Sequence, residues 1–148
     1  MRPALIPLTA LLAAAATLAH ADECHLKPKE VVTRFMNELY VQKNAREAFE
    51  TWVAPDYIQH NPLAPNGRDA AIAFFEPFFK SHPDASYSIK RIIADGNLVA
   101  VHSHAVFTPG ERGFAVVDIL RVENCKVAEH WDVVQAVPEK AANTNTMF

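Results

Sequence analysis

The sequence predicts an α+β fold, with helices gathered on one face of a curved antiparallel sheet and enclosing a core or a pocket. Three observations carry this expectation. Apolar residues recur at a helical period in the first half of the chain, the period changes to two from residue 86, and tight-turn signals separate the later runs.

Three segments fill the i, i+3, i+4, i+7, i+8 helical template. The first carries Val32, Phe35, Met36, Leu39 and Tyr40, and Pro28 suits its first turn. The second carries Ala45, Ala48, Phe49, Trp52 and Val53, with Asn44 as the expected cap. The third carries Ala71, Phe74, Phe75, Phe78 and Phe79. Pro77 falls inside it, removing a backbone donor and crowding the preceding turn, so a kink or an early end is expected there. Aromatic stripes at this spacing read as core. Strand-like runs follow at Tyr87 to Ala94, Leu98 to Phe107, Phe114 to Val122 and Val127 to Ala136. Asp95-Gly96 marks a tight hairpin, Pro109-Gly110 a wider turn, and Glu123 to Lys126 a third turn. A short extra strand near Tyr57 to His60 is expected to join the sheet, and Asn61 to Gly67, with two prolines, reads as a loop.

The 148 residues are about one domain's worth of chain, and 50% hydrophobic content with 21% charged residues is enough to bury a core. That balance excludes a disordered acidic chain and a strongly basic nucleic-acid binder. Residues 1–21 read as a removable export signal. Arg2 precedes an apolar, alanine-rich run that ends in Ala19-His20-Ala21, a small-x-small cleavage site. The polar Asp22-Glu23 that follows argues against a membrane anchor, so the expectation is a periplasmic or secreted domain over residues 22–148 with no membrane segment. Losing Arg2 moves the net charge from −3 to −4, which disfavours a phosphate-tracking surface.

Cys24 and Cys125 both survive that cleavage into an oxidising compartment, and a disulfide between them is the favoured reading over two free thiols. Position 125 supports it. After Asn124 a turn ordinarily favours glycine for its positive φ, so a cysteine there needs another reason, and tethering the hairpin tip to the N-terminal segment supplies one.

Of the seven histidines, six remain after cleavage, and the question is which converge. His102 and His104 leave the same face of their strand. On the next strand Asp118 is the one carboxylate within an apolar run, sharing a face with Val116 and Leu120. A two-residue loop at Asn124-Cys125 would pair Glu123 with Lys126 and set Asp118 opposite Trp131. Glu129, Trp131, Val133 and Gln135 would then share Asp118's face, with His130 and Asp132 on the other.

The segments YIQHNP at Tyr57 to Pro62, His102-Ser103-His104, Asp118 to Arg121, EHWDVVQ at Glu129 to Gln135 and the closing Asn145 to Phe148 together resemble the SnoaL-like group of the nuclear-transport-factor-two-like superfamily. The resemblance covers nearly all of the chain after residue 21. It implies a cone-shaped α+β barrel around one deep pocket, a small-molecule ligand, no cofactor or metal, and a homodimer formed through the sheet's outer face. The name-giving members are polyketide cyclases that close a ring by aldol condensation with acid/base side chains. Their late-strand aspartate aligns here with Gln135, so the acid/base role passes to Asp118 or a histidine.

Abstraction of a proton alpha to a carbonyl needs a base matched to the working pH and a donor for the enolate oxygen. The expected site pairs Asp118 with His102 or His104 as base and uses His60 or another histidine as donor, in a pocket that includes Tyr57, Trp131 and Gln135. His60, His102, His104 and Asp118 are also chemically a three-nitrogen, one-oxygen metal set, which is the alternative kept for that cluster. The leading function is an exported enzyme performing metal-free aldol condensation, isomerisation or dehydration on a small apolar carbonyl compound. A periplasmic binding protein of the same fold is the alternative, and a dimeric interaction module the third reading.

Overall fold

The computed structural model describes residues 24–148. The expected export signal and its cleavage after Ala21 lie outside the described residues. Helix α1 (Pro28–Met36) begins with proline in its first turn, as its fixed φ favours, and runs directly into a single π-helical turn over Asn37–Val41. Helix α2 (Ala45–Trp52) starts after Asn44, which takes the cap position without a side-chain hydrogen bond. Strand β1 (Val53–Gln59) begins earlier than the sequence predicts, because Val53, the last member of the second helical stripe, is already extended.

Helix α3 (Arg68–Ser81) passes through Pro77 without ending. The carbonyl deprived of its donor belongs to Ala73, and both Ala73 and Pro77 are exposed, so the lost bond falls on the solvent side of the helix, where it costs least. Strands β2 (Ser86–Asp95), β3 (Leu98–Val106), β4 (Phe114–Glu123) and β5 (Lys126–Ala136) follow as an antiparallel meander. The sheet order is β1-β5-β4-β3-β2, with β1 parallel to β5, and the overall class is α+β.

Alternation along the strands separates two faces. Val99, Val101, Leu120, Val122 and Val127 point to the helices and join Val31, Val32, Phe35, Met36, Leu39 and Phe49 in one buried core. The opposite face carries a continuous cross-strand row of Ile93, Ala100, Ile119 and Trp131. Cys24 and Cys125 form a disulfide with Cα atoms 5.4 Å apart, and Asn124 and Cys125 take φ values of 47° and 59° at the β4–β5 turn. The positive φ at Cys125 is thus held in a residue other than glycine by a covalent tether.

One register expectation is corrected. Glu123 does pair with Lys126, and Val122 with Val127, but Arg121 pairs with Glu129, so Ala128 is an extra residue in β5. This β-bulge shifts everything beyond it by one position and places Asp118 opposite Asp132 rather than Trp131.

Candidate functional site

Between the helices and the inner face of the sheet lies a cavity of about 360 Å³. Its apolar wall comes from the helical aromatic stripes, chiefly Phe35, Phe49, Phe75 and Phe78, with Leu39 and Val116. Tyr40 and Tyr87 stack on one another with centroids 3.9 Å apart. The same stripes that build the core therefore also build the pocket.

The polar groups of the wall form one hydrogen-bonded cluster. Asp118, 3% exposed, accepts from the Tyr87 hydroxyl at Oδ2, and its Oδ1 lies 3.0 Å from His130 Nε2. His130 Nδ1 lies 2.9 Å from Gln59 Oε1. Gln59 Nε2 donates to the Tyr57 hydroxyl at 3.0 Å, and Gln59 Oε1 accepts the Asn61 backbone N–H at 2.9 Å. Asp132 accepts from Asn61 Nδ2 at both carboxylate oxygens, at 2.9 and 2.8 Å.

The local causes are readable. Asp118, Leu120 and Val116 alternate inward on β4, and the bulge at Ala128 turns His130, Asp132 and Val134 inward on β5. Gln59 ends β1, and Asn61 opens the following turn, where its Oδ1 caps the Leu63 N–H at 2.8 Å.

Burial raises the Tyr87 and Tyr57 hydroxyls above the usual phenol range, and the Asp118 charge raises them further. Tyr40 is raised in the same way, burial first and Asp118 second. All three remain neutral hydrogen-bond donors near neutral pH.

The structure divides the sequence-predicted residues between two faces. Asp118 and Tyr57 line the pocket. His60, His102 and His104 do not join them, and neither do Trp131 and Gln135. His60 stacks on Trp131 at 4.6 Å on the outer face and contacts Glu129 Oε1 at 2.8 Å. His102 Nδ1 meets Arg91 Nη1 at 2.6 Å, and His104 Nε2 meets the Arg112 carbonyl at 2.7 Å, both against the Phe148 ring. Gln135 is exposed. The physical reason is parity: inward Val101, Ser103 and Ala105 leave the intervening histidines outward, and the bulge exchanges the faces of β5. His130 and Asp132, expected on the outer surface, face the pocket, and sequence reasoning also missed Tyr87, Gln59 and Asn61. The adjacent Gln59 and Asn61 in YIQHNP were the signal available in the chain.

The alternative metal set is not assembled, since its three histidines lie across the sheet from Asp118. Among the described residues, Asp118, His130 and Asp132 bring one potential ligand atom each within 4.8 Å of one another. Their hydrogen bonds already occupy that space: His130 meets Asp118 directly, and Asn61 spans both oxygens of Asp132.

Comparison with known proteins agrees with this architecture. The SnoaL-like domain model matches residues 32–130, and the chain belongs to this family. No curated protein matches the sequence. Among solved structures the chain is similar to TsrD from Streptomyces laurentii, with 18% identity and a TM-score of 0.59 over 74% of this chain and 91% of that one. It is also similar to wild-type IdmH from Streptomyces antibioticus, described as a candidate polyketide cyclase, with 18% identity and a TM-score of 0.60 over 74% and 92%. An NTF2-like protein from Cytophaga hutchinsonii gives 13% identity and a TM-score of 0.62 over 76% and 93%. These likenesses establish the cone-shaped fold of the superfamily.

Proposed function

We propose that this SnoaL-like protein is an exported enzyme performing acid/base chemistry on a small apolar carbonyl compound, by aldol condensation, isomerisation or dehydration. One observation carries the reading: Asp118, Asp132 and His130 meet on the inner face of the sheet, inside an aromatic cavity, with neutral tyrosine hydroxyls beside them. Proton abstraction next to a carbonyl needs a carboxylate or imidazole within reach of the carbon, and a neutral donor for the oxygen that gains charge. The cluster contains both kinds of group. Apolar walls raise the strength of each interaction by excluding water. The acid/base set proposed is therefore Asp118, His130 and Asp132, in place of the histidines on β3.

Export is supported by the Cys24–Cys125 bridge, which suits an oxidising compartment, and among the described residues no helix is long and apolar enough to cross a membrane. A small-molecule binding protein of the same fold is the second reading, favoured by how much of the cavity wall is aromatic.

Turnover of a panel of small ketones and aldehydes separates the two. Asp118→Asn and Asp132→Asn should each lower turnover by about 10²–10⁴-fold while ligands still raise the Tm. Unchanged turnover in both variants would refute the acid/base assignment, and stabilisation by ligand without any turnover would leave the binding protein.

A further inference from the structure

Two side-chain amides border the acid/base cluster, and each has its orientation dictated by a backbone donor. Gln59 Oε1 accepts the Asn61 N–H at 2.9 Å, and Asn61 Oδ1 accepts the Leu63 N–H at 2.8 Å. A backbone N–H has no acceptor role, so exchanging O and N in either amide would set donor against donor. Gln59 therefore presents an oxygen to His130 Nδ1, and Asn61 presents an N–H group to Asp132.

The proton count follows from those two facts. His130 Nδ1 faces an acceptor at 2.9 Å and must carry a proton. His130 Nε2 faces Asp118 Oδ1 at 3.0 Å, where two bare lone pairs would repel, so one further proton is held between them. Tyr87 donates its own hydroxyl proton to the other oxygen of Asp118, so it is not the source of the proton between Oδ1 and His130 Nε2. Asp132 receives Asn61 Nδ2 at both oxygens, which is the arrangement of an ionised carboxylate.

We propose that Gln59 and Asn61 are positioning residues that set the proton inventory of the pocket, making the Asp118–His130 pair the proton-donating arm and Asp132 the proton-accepting arm. This rests on the acid/base reading above and deepens it by giving the two arms opposite directions. In a turnover Asp132 takes the proton alpha to the carbonyl, the electron pair of that C–H bond forms a C=C bond, and the C=O π pair moves onto the oxygen. The proton held between His130 and Asp118 passes to that oxygen; when the enol collapses this proton returns to the pair, the C=O bond re-forms, and the C=C electron pair takes the proton from Asp132 at carbon, which completes an isomerisation and restores both arms. No co-reactant is required for the balance.

The test reads tautomers directly, with no substrate. Long-range ¹H–¹⁵N correlation spectra of the folded chain near neutral pH should show His130 Nδ1 protonated. In Gln59→Leu the Nδ1-protonated population should fall about fivefold or more relative to the other tautomer, the loss of roughly one hydrogen bond. Gln59→Glu keeps an acceptor for both the Asn61 N–H and His130 Nδ1, and should restore the wild-type pattern. A bare Nδ1 in the wild-type spectrum overturns the proposal, as does a Gln59→Leu spectrum identical to wild type. Because activity enters none of these spectra, the acid/base reading can fail on turnover while the tautomer assignment stands, and the reverse.

Discussion

Glu129 and Asp118 are both carboxylates on adjacent strands, yet opposite faces of one sheet give them different work. Asp118 is buried among aromatic rings and takes its partners from Tyr87 and His130. Glu129 lies on the outer face between Arg121 and His60. Hydrogen bonds first from Arg121 and then from His60 hold its carboxyl below the usual carboxylate range. A depressed folded-state value means stability that is present above the unfolded value and lost as pH falls through the folded one. Acid unfolding should accordingly begin to erode this cluster below about pH 4.3, the unperturbed glutamate range. Chemical denaturation at a series of pH values checks it: Glu129→Gln should be less stable than wild type at neutral pH, and the gap should close on acidification. A gap that stays constant would remove Glu129 from the account of acid stability.

At the scale of the element, the decisive feature is the extra residue in β5. The bulge at Ala128 lets Val127 remain in the core beside Val122 while turning His130 and Asp132 into the cavity. A regular strand that kept Ala128 without the bulge would satisfy the core or the site, not both, because Val127 and Glu129 would then share one face and His130 and Asp132 take the other. Inserting one residue after Glu129 should cost about 3 kcal/mol or more, by turning His130, Asp132 and Val134 outward and the intervening side chains inward. Ala128→Gly keeps the residue count and should cost less than about 1 kcal/mol. Urea unfolding of the two variants provides the comparison, and equal losses would show that the side chain at 128, rather than the count, governs the strand. Helix α3 teaches the same lesson in milder form: a sequence rule against interior proline is relaxed because Pro77 and Ala73 lie on the exposed side of the helix.

Across the whole molecule, the Cys24–Cys125 bridge closes a span of 101 residues and joins the segment before α1 to the tip of the last hairpin. On the chain-entropy estimate it stabilises by about 4 to 5 kcal/mol, so Cys24→Ser with Cys125→Ser should lower the denaturant midpoint without altering the far-ultraviolet spectrum of the folded state. The outer sheet face offers a second whole-molecule test. Ile93 is 63% and Val133 68% exposed around the Ile119–Trp131 row, an apolar surface of the kind required by the homodimer that the family resemblance implies. Sedimentation equilibrium should give a dimer for the wild-type chain and a monomer for Val133→Glu. A monomeric wild type would dismiss that interface.

How far the chain could be read divides along the same scales. Local pattern was sufficient for the elements: the three aromatic stripes became α1 with its π-helical extension, α2 and α3, and the period-two runs became β2 to β5 nearly at their expected limits. Asp118 was recognisable as a pocket carboxylate because its neighbours on both sides alternate apolar and inward. His60, His102 and His104 were equally conspicuous as chemistry, but composition does not show which side of a sheet a residue faces once strands are paired. An inserted residue in β5 has no signature in hydropathy, since Val127, Ala128 and Val133 fit either parity. The hydrogen-bonded neighbours of Asp118 in the pocket emerge only when β1, β2, β4 and β5 are brought together, because His130, Asp132, Tyr87, Gln59 and Asn61 come from distant parts of the chain and hydrogen bonds among them have no local determinant. The amino-acid order alone therefore determined the elements, the core and two pocket residues, Asp118 and Tyr57, whereas tertiary register chose the rest, since a hydrogen bond depends on position to a few tenths of an ångström and periodicity specifies only a face.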